Sequence, residues 1–134
     1  MTFLRVSFIS FLCLVLAACS PKPEFKNIDI TGGTAFGKDF SLLDPEGKVR
    51  TLSDFKGKVV VMFFGYTQCP DVCPTTLTEM QQVMTLMGPQ ADRVQVLFVT
   101  VDPERDTAPI LKQYVPAFDK RFLGLRPADE AALE

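Results

Sequence analysis

Histidine and tryptophan are both absent from the 134 residues of this chain. Structural zinc sites use four ligands, drawn mainly from cysteine and histidine, so a chain without imidazole is poorly suited to such a site. A basic stripe is also missing, because 14 lysines and arginines stand against 16 acidic residues and the formal charge is −2. Without an excess of cations to replace phosphate counterions, we expect no nucleic-acid partner.

Long apolar runs are scarce as well, and one of them lies near the N-terminus. It extends from residue 6 to residue 16, is broken only by two serines, and follows Arg5. A membrane-spanning helix needs about 20 apolar residues, so this run is too short to cross a bilayer comfortably. A positive start followed by a short apolar run is typical of a secretory signal peptide, which we predict at residues 1–18.

Cys19 ends a short motif, Leu16-Ala17-Ala18-Cys19, that resembles the lipobox of bacterial lipoproteins. That resemblance implies cleavage before Cys19 and attachment of lipid to its sulfur. The alternative is an ordinary small-residue cleavage site that happens to precede a cysteine. On the lipoprotein interpretation, residues 19–27 form a polar, proline-bearing tether at the membrane. Residues 28–134 then form one domain, a length that supports a single core.

The four cysteines of the sequence separate into two groups on this interpretation. Cys13 leaves with the signal peptide and Cys19 carries the lipid, so Cys69 and Cys73 are the free thiols of the domain. An exported protein lies in an oxidising compartment, where a disulfide is permitted. The chemistry of the domain therefore depends on Cys69 and Cys73.

Apolar periodicity predicts an α/β domain built on a parallel βαβ unit. Residues 58–66 and 94–101 are apolar runs typical of strands that are buried on both faces. Between them, residues 74–87 have apolar side chains at helical spacing, with proline at the start and Gly88-Pro89 at the end. The other predicted elements are a hairpin at residues 40–52 with its turn at 44–47, a helical turn at 53–57, a helix at 108–118, a short strand at 122–125 and the start of a helix at 127–134.

The predicted helix at residues 74–87 carries Met80, Met84 and Met87 on its apolar stripe. We expect these methionines to pack against the sheet, since flexible thioethers fill irregular gaps in cores. A thioether copper relay is the alternative interpretation.

Cys69 and Cys73 lie in the loop between the first apolar strand and this helix. Ligands collect at the carboxyl ends of strands in such sheets, and the loop at residues 102–106 follows the second strand to the same edge. Because proline disfavours helical geometry in the residue before it, we expect Cys73 to be the helix cap. A thiol there lies at the positive end of the helix dipole, which stabilises thiolate. Asp106 or Thr107 is expected to cap the following helix, and Asp102 and Asp106 could also tune the thiol pKa or meet a partner.

Three interpretations of the cysteine pair remain open at this point. Two thiolates suit copper(I), a soft ion that tolerates low coordination numbers. A dithiol could instead exchange electrons through a disulfide, although thioredoxin-type motifs have two intervening residues and this loop has three. The third interpretation is a purely structural disulfide, which we disfavour because a disulfide that closes so short a loop gives little entropic stabilisation.

Two segments, Gly65 to Leu77 and Thr100 to Thr107, resemble the signature motifs of the Sco/SenC copper proteins, and the likeness extends over residues 28–134. The resemblance implies a thioredoxin-like fold, membrane anchoring on the periplasmic side and delivery of copper to the binuclear centre of cytochrome c oxidase. Cys69 and Cys73 match the family's copper-binding cysteines. The family's third ligand, a histidine far along the chain, has no counterpart here, and the final hairpin and helix of the fold are absent too. We therefore expect a C-terminally truncated domain.

The resemblance favours a copper(I)-binding metallochaperone, with the copper-bearing subunit of cytochrome c oxidase and a periplasmic thiol–disulfide reductant as partners. The alternatives are a membrane-anchored thiol–disulfide reductase that uses the same two cysteines, or an inactive fragment of either. Ser20 favours outer-membrane sorting by a rule known in some bacteria, whereas the family's usual location favours the inner membrane. The choice of membrane stays open.

Overall fold

The computed structural model describes residues 39–128. The predicted signal peptide and tether lie outside the described residues, as does all but the first part of the helix predicted at 127–134. Five strands and two α-helices make up the described part: β1 (Leu42–Leu43), β2 (Val49–Arg50), β3 (Val59–Gly65), α1 (Val72–Met87), β4 (Val94–Thr100), α2 (Ala108–Phe118) and β5 (Leu123–Leu125). Short 3₁₀ helices at Leu52–Phe55 and Gly88–Arg93 precede β3 and β4.

The central sheet contains three parallel strands in the order β3-β4-β5. Its register pairs Val59 with Val94 at one end of β3 and Gly65 with Thr100 at the other. Helix α1 connects β3 to β4, so the predicted parallel βαβ unit is confirmed. Strands β1 and β2 pair antiparallel in a separate hairpin, as predicted for the N-terminal part of the domain.

The hairpin turn has the expected geometry and one additional feature. The Gly47 amide donates to the Asp44 carbonyl oxygen at 2.9 Å, and Gly47 has a φ of 80°, which glycine adopts without strain. Asp44 itself is 1 % exposed, and its carboxylate accepts hydrogen bonds from the amides of Glu46 and Lys48 and from Arg50 Nε. The Asp44 carboxylate therefore stabilises the turn by accepting hydrogen bonds from both the turn and the second strand of the hairpin.

Both faces of the sheet are covered, which explains why the middle of β4, residues 96–99, is apolar and buried. Helices α1 and α2 cover one face, where the buried side chains are Leu77, Met84, Ala91, Val96, Phe98, Leu111, Val115 and Phe122. The hairpin and first 3₁₀ helix cover the other face, with Leu42, Phe55, Leu97, Val99 and Leu125 buried there. Each such large side chain stabilises the fold by roughly 1.5–3 kcal/mol through loss of apolar surface from water.

The methionine stripe belongs to this core. Met84 is 2 % exposed, and Met80 and Met87 pack against the cluster from its margin. The core-packing interpretation is confirmed, most clearly for Met84, because its side chain is buried among the apolar residues that pack against the sheet.

Strand β3 differs from its prediction as a strand buried on both sides. Within residues 39–128 it is an edge strand, with β4 as its only neighbour. Val59 and Phe64 near its two ends are 63 % and 57 % exposed. The apolar run in the sequence identified a strand correctly, but an apolar run does not report how many neighbours that strand has.

Candidate functional site

The cysteine loop joins the carboxyl end of β3 to helix α1. The loop that follows β4 begins beside it, since the Val101 amide donates to the Gly65 carbonyl oxygen at 2.9 Å. Parallel strands end at the same edge of a sheet, so the two loops meet there as the sequence predicted. The site is therefore built from residues 65–73 and 100–106.

Cys69 and Cys73 are free thiols, and both are buried. Their exposed fractions are only 8 % and 3 %, although the sequence places both residues at a strand-to-helix junction. The two side chains interact directly, and this interaction lowers the pKa of Cys69 and raises that of Cys73. Two adjacent sulfurs at this edge of the sheet can share one ion or join in a disulfide.

Helix α1 begins at Val72, not after Cys73, so the prediction that Cys73 caps the helix is also wrong. Asp71 occupies the cap position, and its carbonyl oxygen accepts from the Thr75 amide at 3.1 Å. Pro74 is the third helical residue, where its missing N–H costs nothing because the amides of the first turn have no intrahelical acceptor. That tolerance outweighs the general preference against helical geometry before proline.

The two thiols differ in acidity, and backbone amides cause the difference. The amides of Asp71 and Cys73 donate to the Cys69 sulfur, and these bonds, with the Cys73 thiol, lower the pKa of Cys69. Burial raises the pKa of Cys73 and outweighs its hydrogen bond from the Tyr66 amide. The helix start therefore stabilises a thiolate as predicted, but at Cys69 rather than at the residue within the helix.

This asymmetry predicts the order in which the thiols react. Iodoacetamide alkylates thiolate, so the rate at Cys69 should begin to rise at a lower pH than the rate at Cys73. Because Cys69 has the lower pKa, it should carry most of the label at pH 7. Peptide mass spectrometry over a series of pH values measures both rates in the reduced chain. Faster labelling of Cys73 at neutral pH would contradict the assignment.

Gly65 is a functional position that the sequence analysis missed. A Cβ atom built on this residue would lie 2.9 Å from Cys73 Sγ, 3.0 Å from a ring carbon of Phe98 and 3.1 Å from one of Phe63. Only glycine lets the Cys73 sulfur rest against the strand at this distance. The sequence does carry a signal for this role, because a glycine at the end of a strand, directly before the cysteine loop, often marks a close approach of another group to the backbone.

The second loop contributes two aspartates with different roles. Asp102 pairs with Arg105 at 2.5 Å on the surface, and Tyr66, Val101, Asp102 and Arg105 line a shallow cleft beside the cysteine loop. Asp106 is 1 % exposed and accepts hydrogen bonds from Thr67 and Thr100. Thr107 occupies the N-cap position of α2, as predicted, but its side chain makes no capping hydrogen bond to the helix.

The donor set at this edge is narrow. Among residues 39–128 there is no cluster of three or more histidine, cysteine, aspartate or glutamate side chains that could hold a metal ion. Two sulfurs alone suit an ion of low coordination number with soft-ligand preference, and they do not suit zinc. No helix in the described part of the chain is long and apolar enough to span a membrane.

Comparison with known proteins identifies relatives for nearly all of the predicted domain. Residues 28–134 match the family model described as SCO1/SenC. The mitochondrial SCO2 homolog of Bos taurus is 48% identical over 94 residues, which are 69% of this chain and 35% of that protein. A SCO2-like protein of Rickettsia felis is 34% identical over 119 residues, covering 87% of this chain and 58% of that protein.

A solved structure, that of Bradyrhizobium japonicum ScoI with copper bound, resembles this fold with a TM-score of 0.66 at 47% identity. The match covers 72% of this chain and 61% of that one. The thioredoxin-like α/β prediction is thereby confirmed. The chain spans between about a third and three fifths of the length of these relatives.

Proposed function

This chain belongs to the SCO1/SenC family, and we propose from that premise that it is a copper(I)-binding metallochaperone for the copper centre of cytochrome c oxidase. The observation that carries the proposal is the pair of adjacent sulfurs, Cys69 and Cys73, at the carboxyl edge of the sheet. The relative from Bradyrhizobium japonicum, which shares this fold, was solved with copper bound. Copper is the cargo in this scheme, and the copper-bearing subunit of the oxidase receives it.

The chemistry of the pair favours copper(I) over copper(II). Thiolates are soft ligands and copper(I) accepts as few as two of them, whereas copper(II) prefers nitrogen donors in a square arrangement. Cys69 offers a thiolate at low cost because backbone amides already stabilise its charge. Cys73 must lose its proton against the effect of burial, so copper binding should release a proton from this residue.

Copper loading requires the two cysteines to be reduced. A Cys69–Cys73 disulfide has no thiolate to offer, and an exported protein meets oxidising conditions. A periplasmic thiol–disulfide reductant must therefore supply two electrons and two protons to each oxidised pair before copper enters. We propose such a reductant as the second partner of this protein.

The unequal thiols also support a second candidate function, a thiol–disulfide reductase. In that reaction the Cys69 thiolate attacks a partner's disulfide, and one partner sulfur leaves as a thiol. Cys73 then displaces the second partner sulfur from the mixed disulfide, so that the partner gains two electrons and the Cys69–Cys73 bond forms. The low pKa of Cys69 suits the attacking role. The family relationship supports this reductase role less strongly than copper delivery.

The proposed location is the periplasmic face of a bacterial membrane. Support comes from the apolar run at residues 6–16 and from the Leu16-Ala17-Ala18-Cys19 motif, in which Cys19 would carry the lipid. A lipid anchor and a short tether would hold the copper site near a membrane-bound oxidase.

Anaerobic titration of the reduced chain with copper(I) tests the proposal. The full chain with Cys13→Ser and Cys19→Ser leaves Cys69 and Cys73 as its only thiols, and we expect it to bind one copper(I) per molecule against a chromophoric chelator. Copper(II) should bind far more weakly. Rapid catalytic reduction of a disulfide substrate without copper uptake would instead establish the reductase, and failure of both reactions would indicate an inactive fragment.

A further inference from the structure

Asp106 is a buried carboxylate that the copper chemistry above does not use. It is 1 % exposed, and within residues 39–128 it forms no salt bridge with lysine or arginine. A buried charge without a cationic partner is costly unless several hydrogen bonds compensate for lost water. The groups that donate hydrogen bonds to the Asp106 carboxylate therefore indicate which parts of the chain this residue holds in place.

The donors come from the cysteine loop and from β4. Thr67 donates its backbone amide to both carboxylate oxygens, at 3.0 and 3.2 Å, and its hydroxyl to Oδ1 at 2.5 Å. Thr100, the last residue of β4, donates its hydroxyl to Oδ2 at 2.6 Å. Every side-chain bond of Asp106 thus joins the carboxylate to a segment other than its own.

These bonds connect three segments at the edge of the sheet. Thr67 lies two residues before Cys69, and its backbone is held directly by a carboxylate that is distant in the sequence. The Asp106 amide donates to the Asp102 carbonyl oxygen at 2.9 Å, and the Asp102 amide donates to the Thr100 hydroxyl at 3.0 Å. The carboxylate is therefore fixed by its own loop while it fixes the start of the cysteine loop.

We propose that Asp106 is a positioning residue for the copper site: its carboxylate holds the start of the cysteine loop so that the Cys69 and Cys73 sulfurs stay adjacent and ready to share one copper(I). This inference rests on the proposed function. Binding through two ligands is tighter when both are already in place, because less freedom is lost when the ion arrives. Cys73 is held by helix α1 and the sheet, so loosening at Thr67 should mainly free Cys69.

Asp44 provides a matched control for a merely structural role. Like Asp106, it is an aspartate with 1 % exposure whose carboxylate accepts several hydrogen bonds, here from Glu46, Lys48 and Arg50. It closes the N-terminal hairpin and makes no hydrogen bond to the cysteine loop. Loss of either carboxylate should therefore destabilise the fold, but only loss of Asp106 should weaken copper binding.

The experiment compares Asp106→Asn with Asp44→Asn in the full chain that retains only the Cys69 and Cys73 thiols. Asparagine keeps the shape of the side chain but removes the charge and places an NH₂ group against a donor. We expect Asp106→Asn to weaken copper(I) affinity by about 10–100-fold, the range typical of groups that orient a metal ligand. Asp44→Asn should leave the affinity within about twofold of the starting protein while lowering the melting temperature.

A metal-free measurement separates this inference from the proposed function. In an equilibrium with dithiothreitol, the two thiols give two electrons and two protons to the oxidised reagent as the Cys69–Cys73 bond forms. Looser sulfurs should make that disulfide less stable by about tenfold in Asp106→Asn and leave it unchanged in Asp44→Asn. If the starting protein binds no copper(I), the proposed function fails, but this equilibrium still tests whether Asp106 positions the two sulfurs.

Thr67→Val covers the possibility that Asp106→Asn does not fold. Valine has the shape of threonine, so this variant removes the hydroxyl donated to Asp106 and keeps the amide bonds, whereas Thr67→Ser restores the hydroxyl. We expect weaker copper binding in Thr67→Val and recovery in Thr67→Ser. If the aspartate or threonine variants lose stability yet keep the starting copper affinity and disulfide equilibrium, the positioning role is refuted.

Discussion

In the chain that carries Cys13→Ser and Cys19→Ser, replacing either Cys69 or Cys73 by alanine is expected to weaken copper(I) binding by more than about 100-fold, beyond the usual cost of losing a group that only orients a ligand. Each substitution removes one of the two sulfurs, and the rest of the described chain offers no cluster of side chains to replace it. A single remaining thiolate competes poorly with a chelator. Competition with a chromophoric copper(I) chelator under anaerobic conditions measures the loss.

Val72→Ala is the control for the cysteine variants. Val72 lies between the two thiols in the sequence, but its side chain is 63 % exposed and carries no donor atom. We expect unchanged copper affinity in this variant, which shows that the loop tolerates substitution where no ligand is lost. Tight one-to-one copper(I) binding by both cysteine variants would place the metal elsewhere in the chain and refute the proposed site.

Replacing Gly65 by alanine is expected to disturb the copper site without removing a ligand. The added Cβ would lie 2.9 Å from Cys73 Sγ, closer than Cβ contacts in folded proteins, and the Phe98 and Phe63 rings block the other directions. The Cys73 sulfur must therefore move away. Overpacking of this kind costs about 1–3 kcal/mol in the free energy of unfolding. We also expect copper(I) affinity to fall by about tenfold or more, since the sulfurs no longer lie side by side.

Gly124→Ala separates the effect on the site from the effect on packing. Its added Cβ would lie 3.2 Å from side-chain atoms of Leu111 and Val115, in the contact between β5 and α2. This variant should lose stability through the same kind of crowding while its copper affinity stays at the starting value. Urea unfolding and copper competition on both variants provide the comparison. Equal copper affinity in the two variants would show that the distance between Gly65 and Cys73 does not matter for binding.

Much of the fold could be predicted because it depends on local pattern. The apolar runs before and after helix α1 identified β3 and β4, and proline and glycine at residues 44–47 identified the hairpin turn. Parallel strands end at a common edge, so the meeting of the cysteine loop with the loop after β4 followed from topology alone. Residue type and spacing were sufficient to identify Cys69 and Cys73 as candidate ligands.

The state of those ligands could not be predicted in the same way. The sequence predicts a thiolate near the start of the helix and places it at the cap, because proline disfavours helical geometry in the residue before it. The three-dimensional arrangement instead directs the amides of Asp71 and Cys73 toward Cys69 and buries Cys73 against Gly65. The desolvation of a thiol and the direction of nearby backbone amides depend on tertiary packing, so a local sequence pattern does not predict them.

The order of residues by itself determined a parallel α/β domain with two sulfurs at one edge, since periodicity, turn chemistry and thiol spacing are all properties of neighbours along the chain. Only the tertiary structure decided that Cys69 is the more acidic thiol, that Gly65 makes room for Cys73, and that Asp106 reaches Thr67 across 39 residues of sequence. The reason is physical: burial, close approach and long-range hydrogen bonds arise only when distant segments are packed together and water is excluded between them.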